Sequence, residues 1–234
     1  MSTLLLRLAG PLQSWGSDSR FTERRTRMEP TRSGVVGLLA AASGIERDGD
    51  LSAFNKLRFG VRVDQQGSVL SDFQTAIDSR GDALPLSYRQ YLQDAVFLVG
   101  LEGEDEFLRE LVTAIRSPRF PLSLGRRSCI PSQPLVVDIV DDGLMDALRS
   151  ADWVASDWFK RRHSRVGYQS RIVVDAEVAQ EGEDGVSIRT QDDVPVSFAI
   201  ERRVHSARRV ATVPFRFTDA PNSEADFDAL EVLP

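Results

Sequence analysis

The chain has 234 residues, 41% of them hydrophobic and 27% charged, with a formal net charge of -6. That profile excludes a disordered or fibrous protein and belongs to a folded globular one, long enough for one elaborated domain or two small ones. No run approaches the roughly 18 apolar residues of a membrane span, and the apolar run at residues 3–6 is too short for a signal-peptide core; the expected compartment is the cytoplasm, with no membrane partner.

Residues 3–9 read as a Leu-rich strand interrupted by Arg7 and ended by Gly10-Pro11. Residues 11–30 carry polar and arginine residues with neither period, so an exposed loop is expected, with Gln13 and Trp15 at its start. Trp15 reads either as a core indole or as a stacking platform for an unpaired base. A helix then opens at Pro30-Thr31: Thr31 or Ser33 can cap it, Val35, Val36, Leu38, Leu39 and Ala42 form its apolar face, and Gly44 is its stop. Gly34 and Gly37 in its first turns cost about 1 kcal/mol each relative to alanine. Close packing or close approach of a ligand backbone would compensate. Thr31-Arg32-Ser33-Gly34 is thus either a phosphate cradle at a helix N-terminus or an ordinary capped start; the spacing of a Walker loop is absent.

Residues 59–63 and 69–75 read as a strand pair joined by a turn at Gln65-Gln66-Gly67. Residues 77–88 are turn-rich, strand character resumes over 88–101, and 104–116 form an amphipathic helix through Phe107, Leu108, Leu111, Val112 and Ile115, ended by Pro118. The one cysteine, Cys129, has no acid or base partner in its local sequence and reads as a small packed thiol rather than a nucleophile. It excludes an internal disulfide, and the Cys/His content cannot supply a zinc site at the usual spacing; no metal and no cofactor is expected. Strands at 135–140, 171–178, 186–189, 194–203 and 210–217 and a short helix near 143–151 complete the reading, with Trp153, Trp158 and Phe159 as packing residues.

The expected fold is therefore α+β: a ferredoxin-like (RRM-like) palm over residues 1–140, with a projecting β-hairpin inserted at about 76–96. A β-rich extension over residues 141–234 packs on the palm.

Positive charge is almost all arginine, Lys56 and Lys160 being the only lysines, and the guanidinium fork suits phosphates and base edges. It is clustered: Arg20, Arg24, Arg25, Arg27 and Arg32; Arg116, Arg119, Arg126 and Arg127; Lys160, Arg161, Arg162, Arg165 and Arg171; Arg202, Arg203, Arg208 and Arg209. Residues 175–193 are mostly acidic, and the tail from Asp219 has no basic residue. Any one cluster reads as a solvated face, whereas four together point to a polyanion. Gly125-Arg126-Arg127-Ser128 forms a loop where backbone amides and guanidinium groups meet phosphates together. The candidate RNA-binding set is Gln13, Trp15, Arg24, Arg25, Thr31, Arg32, Ser33, Gly34, Arg119, Gly125, Arg126, Arg127, Ser128, Arg162 and His163, with no catalytic residue assigned.

Leu6-Arg7-Leu8-Ala9-Gly10-Pro11-Leu12-Gln13-Ser14-Trp15-Gly16, followed by Pro30-Thr31-Arg32-Ser33-Gly34-Val35-Val36-Gly37-Leu38-Leu39-Ala40-Ala41, resembles the opening of the CasD family, the E-subtype Cas-five subunit of CRISPR Cascade. Phe59-Gly60-Val61-Arg62-Val63-Asp64, Asp72-Phe73-Gln74-Thr75, Tyr88-Arg89-Gln90-Tyr91-Leu92-Gln93-Asp94-Ala95 and Leu124-Gly125-Arg126-Arg127-Ser128-Cys129 resemble its later blocks, in order, so that residues 4–130 are covered. The resemblance implies a palm with a hairpin thumb that grips the 5′ handle of the crRNA in type I-E antiviral defence. It also implies contacts with the Cascade backbone subunit and the large PAM-recognising subunit. Gln74 stands where family members often have histidine. The alternative is a metal-independent endoribonuclease processing precursor crRNA, as related Cas-five proteins of another subtype do. It would use His163 within Lys160-Arg161-Arg162-His163-Ser164-Arg165, but no second acid-base partner is evident. An RNA-binding domain unrelated to CRISPR is a third reading.

Overall fold

The structure, a computed structural model, describes residues 1–16, 23–163, 167–179, 184–199, 201 and 203–217. Arg20, Arg165, Arg202 and the acidic tail lie outside the described residues.

The first strand, β1 (Ser2–Ala9), fixes two layers at once, because alternate side chains leave opposite faces of a sheet. Leu4, Leu6 and Leu8 enter the larger core, whereas Leu5 enters a second core on the other side. After the short strands β2 (Leu12–Gln13), β3 (Trp15–Gly16), β4 (Glu23–Arg24) and β5 (Thr26–Arg27) comes the helix α1 (Arg32–Ser43). Thr31 caps it through its side chain, which accepts from Gly34 N, and Gly44 ends it at φ 77°, as the sequence indicates. The one-turn α2 (Ser52–Asn55) leads into β6 (Arg58–Gln65); β7 (Ser68–Gln74), β8 (Ser87–Gln93) and β9 (Val96–Gly103) follow. The helix α3 (Asp105–Arg116) buries Leu108, Leu111 and Ile115 beside α1 in the larger core. Its first turn holds Asp105 and Glu106 and its last Arg116, the signs that the helix dipole favours.

The strand β10 (Val136–Val140) precedes α4 (Leu144–Ser150), α5 (Asp157–His163), β11 (Tyr168–Asp175), β12 (Ser187–Ser197) and β13 (Val204–Phe217). Seven strands form one sheet in the order β10-β1-β9-β6-β11-β13-β12, each pair antiparallel. α1 and α3 cover one face through the larger core; α4 covers the other, where Leu144 and Leu148 meet Leu5, Leu98, Ile172 and Val213. Gly60 and Gly100 admit α4 closely: a Cβ at either would lie 2.7 Å or 2.5 Å from its leucine methyls. The architecture is α+β, strand-rich with few helices.

The expected strand pair across Gln65-Gln66-Gly67 does not form. β6 is buried along nearly its whole length and takes apolar neighbours on both sides, β9 and β11, while the largely exposed β7 pairs with β8. The projecting hairpin is thus β7–β8, starting at Ser68, and residue 96 already belongs to β9. Asp94, at φ 57°, turns the chain between β8 and β9, and its carbonyl accepts from Gln65 Nε2 at 2.5 Å. The two C-terminal strands expected at 186–189 and 194–203 are one strand, β12, bent at Asp192/Val194 and Pro195/Ser197. Pro195 is tolerated there because β12 is the sheet edge.

Candidate nucleic-acid interface

The start of α1 is built around Trp15. Pairing of β3 with β5 holds its backbone, and Trp15 N donates to Thr26 Oγ1 at 2.9 Å. The indole is fully buried and donates to Gln13 Oε1 at 3.1 Å, while Gln13 Nε2 donates to the carbonyls of Leu8 and Ala95. The ring lies on Gly34, where a Cβ would come within 2.8 Å of it. Arg32 turns inward: Nη1 donates to Asp175 Oδ2 at 3.1 Å and Nη2 to Leu57 O at 2.7 Å. Its backbone N donates to Asp193 Oδ2 at 2.8 Å, and Arg208 bridges Asp193 and Asp175 at 2.7 and 2.6 Å. Burial pushes the Asp193 carboxyl up, but the Arg208 hydrogen bond and charge with the Arg32 amide outweigh it and hold its pKa below the usual carboxylate range.

These contacts correct the phosphate cradle. The N-terminus of α1 already carries an anion of the protein's own, Asp193, and the glycine makes room for an indole. Gln13, Trp15, Thr31, Arg32 and Gly34 therefore leave the set of ligand-contacting residues: the first four are buried, and Gly34 lies under the ring. Ser33 is half-buried, its hydroxyl 3.3 Å from that of Thr31.

A cationic patch forms instead at the root of the β7–β8 hairpin. β4 runs parallel to β8, setting Arg24 beside Arg89. Opposite them the chain makes a tight loop: Leu124 N donates to Cys129 O, Cys129 N to Arg126 O, and Ser14 N to Leu124 O. Gly125, at φ 93°, passes so close to Ser14 O that a Cβ would lie 1.7 Å from it, which only glycine allows. Arg126 locks the assembly, donating to Gln90 O at 3.0 Å and Arg24 O at 2.8 Å with its guanidinium 4.6 Å from the centre of the Tyr91 ring. Arg24, Arg25, Arg127 and Ser128 are exposed around it, Arg25 paired with Glu23. Arg89 Nε is buried with no hydrogen-bond partner among the described residues, a donor that a ligand oxygen would satisfy. Arg89 gives no signal in the sequence, because a lone arginine in a strand stands out only once β4 pairs beside it.

The remaining candidates lie elsewhere. Arg119 is exposed at the far end of α1, its backbone N on Ala42 O. Arg162 and His163 close α5, with the imidazole 4.5 Å from the Phe159 ring and 5.1 Å from that of Tyr168 in a cluster with Trp153 and Phe217. Trp153 and Phe159 are packed as expected, whereas Trp158 is half-exposed. Cys129 is buried and burial pushes its thiol pKa up, as befits a packed thiol. Among the described residues no group of three or more Cys, His, Asp or Glu is placed to hold a metal, and no helix is long and apolar enough to cross a membrane.

The family model described as CRISPR-associated protein (Cas_Cas5) matches residues 3–211. The CRISPR system Cascade subunit CasD of Escherichia coli (strain K12) is 40% identical over 156 residues, covering 57% of this chain and 69% of that protein. Among solved structures, a chain of a CRISPR RNA-guided surveillance complex superposes with a TM-score of 0.69 at 30% identity, covering 92% of this chain and 90% of its own. A Cas protein crystal structure gives the same TM-score at 39% identity over 91% and 94%. With a family match spanning most of its length and a CasD relative at this identity, the chain belongs to the CasD/Cas5 family of CRISPR-associated proteins.

Proposed function

We propose that this protein is a Cascade subunit that caps the 5′ handle of the crRNA, as a binding and scaffolding component rather than an enzyme. The order β10-β1-β9-β6, with α1 and α3 on one face, supports reading residues 1–140 as a ferredoxin-like palm and β7–β8 as its thumb. Residues 141–234 are then the extension packed on that palm. The observation that carries the reading is the patch at the thumb's root, where Arg24, Arg89, Arg126 and Arg127 converge around a glycine-pinned loop. Cationic forks beside exposed backbone suit the phosphates of a single strand. The exposed apolar residues of the thumb, Phe73 and Tyr88 among them, suit contacts with the backbone subunit, and the extension is left for the large subunit.

Handle RNA titrated across a salt series tests this. Arg127→Ala should lower the slope of log K against log salt by roughly 0.7, the value for one lost single-strand phosphate contact. Arg126→Ala should weaken binding further and also loosen the fold, since it severs two hydrogen bonds to backbone carbonyls. An unchanged slope in Arg127→Ala would remove the patch from the site. Precursor crRNA should stay intact with or without divalent metal; specific cleavage abolished by His163→Ala would overturn the non-enzymatic reading.

A further inference from the structure

Beyond the start of α1, on the same face of the sheet, a second cationic feature is organised by one carboxylate. Glu29 is buried, and its two oxygens accept from two guanidinium groups: Oε2 from Arg171 Nη2 at 3.2 Å and Oε1 from Arg189 Nη2. Arg171 is held further by Gln66 Oε1 at 3.0 Å and Arg189 by Gln191 Oε1 at 3.3 Å. The forks are therefore fixed on one side, while their side chains stay 31% and 47% exposed on the other. They line a shallow groove with Thr26, Arg27, Met28, Ser187 and Thr212. Arg171 and Arg189 together carry one positive charge more than Glu29 neutralises, and the hydroxyls of Ser187 and Thr212 add neutral donors.

Immobilised guanidinium groups beside hydroxyls form the donor set that grips a phosphate: charge-assisted bonds from forks already positioned, with little side-chain entropy left to lose. We propose that this groove seats a phosphodiester of the RNA strand that crosses the patch at Arg24, Arg89, Arg126 and Arg127, an inference that rests on the RNA-binding reading above. The connection is short. Arg24 and Arg27 stand three residues apart in one extended segment, a span of about 10 Å at most. A strand leaving the first patch thus meets the groove next, and Glu29 acts as the positioning residue that aims both forks at it.

The test uses the full-length protein with two substitutions that spare the fold. Arg189→Gln removes a charge at the sheet edge, and Thr212→Val is isosteric. Handle RNA binding is measured across a salt series beside Arg127→Ala. Arg189→Gln is expected to weaken binding about tenfold, the loss of one charge-assisted bond, and to lower the salt slope by roughly 0.7. Thr212→Val is expected to weaken binding with the slope unchanged. If Arg127→Ala weakens binding while both groove variants bind like the unmodified protein, the groove proposal fails and the RNA reading stands. If unmodified protein does not hold the handle RNA, the reading itself fails. Inorganic phosphate serves as the second probe. A melting-temperature rise with phosphate that Arg189→Gln abolishes, without any change in RNA affinity, would make the groove a free-anion site and overturn the phosphodiester assignment.

Discussion

At position 34 a side chain and the indole of Trp15 would compete for the same space, since the added Cβ falls 2.8 Å from a ring that is itself fully buried. The ring has no route of retreat, because its Nε1–H is tied to Gln13 and its backbone to Thr26. Gly34→Val is therefore expected to destabilise the protein by about 1–3 kcal/mol through overpacking, read as a lower urea midpoint at unchanged m-value; a midpoint equal to that of the unmodified protein would show that Trp15 yields. The neighbouring carboxylate makes a prediction in pH. Asp193 has a folded pKa below its unfolded value, so its stabilising contribution is fully present above about pH 4 and fades as the pH falls through the folded pKa. Asp193→Asn should cost about 3–5 kcal/mol at neutral pH, because Arg208 keeps a buried charge with one partner fewer. The gap between the two proteins should narrow below pH 4. Urea titrations at several pH values measure it, and a gap independent of pH would mean that Asp193 does not act as a carboxylate.

Among the elements, the hairpin β7–β8 divides sharply between root and tip. Tyr91 and Leu92 at the root are buried, whereas Phe73 and Tyr88, directly paired across the strands, are 65% and 54% exposed, and Ile77 and Leu84 beyond them are exposed as well. Replacing residues 76–85 by a two-residue turn removes exposed side chains and the half-buried Asp78, whose hydrogen-bond partners Arg80 and Asp82 leave with it, so stability should stay within about 0.5 kcal/mol while pull-down of the other Cascade subunits is lost. Retained assembly would show that the tip is not the docking element. The same hairpin marks how far the sequence could be read. α1 and α3 were legible because capping, glycine and 3.6-residue periodicity are local signals. Strand pairing is not local: nothing in residues 58–74 states that β6 will take β9 and β11 as neighbours and leave β7 to pair outward. The candidate site divides in the same way. Gly125 and Arg126 declared themselves as a basic turn, but the anion at the start of α1 is Asp193, 161 positions away, and no pattern around residue 31 could reveal that the cradle is filled from within.

For the molecule as a whole, the seven-stranded sheet runs on across residue 140. β6 pairs on one side with β9 and on the other with β11, so residues 1–140 and the strands after them share a ladder rather than an interface. The core is equally continuous: Leu5 and Leu98 pack against Leu144, Leu148, Ile172, Val174 and Val213 from beyond residue 140. Polar links run the same way. Arg62 in β6 is wholly buried, its fork on Asp64 at 2.7 and 2.9 Å and its remaining N–H groups on the carbonyls of Leu148, Ala151 and Asp152. Cutting the chain after residue 140 would thus bare one apolar face of four strands and leave the Arg62 guanidinium without three of its acceptors. Each hydrogen bond lost by that charged group costs about 1.5–3 kcal/mol, in addition to the lost apolar burial, against a total stability of about 5–15 kcal/mol for a domain. The 1–140 fragment is accordingly expected to be insoluble or unfolded on its own, and the full chain to unfold in a single cooperative transition. Denaturant unfolding followed by both Trp fluorescence and far-UV circular dichroism checks it: Trp15 reports on residues 1–140 once Trp153 and Trp158 are replaced by phenylalanine, and Trp153 reports on the residues after 140 once Trp15 and Trp158 are. Two separated transitions, or a soluble 1–140 fragment with a native-like spectrum, would show instead that residues 1–140 fold independently and that the strands after them are an accessory added to a finished domain.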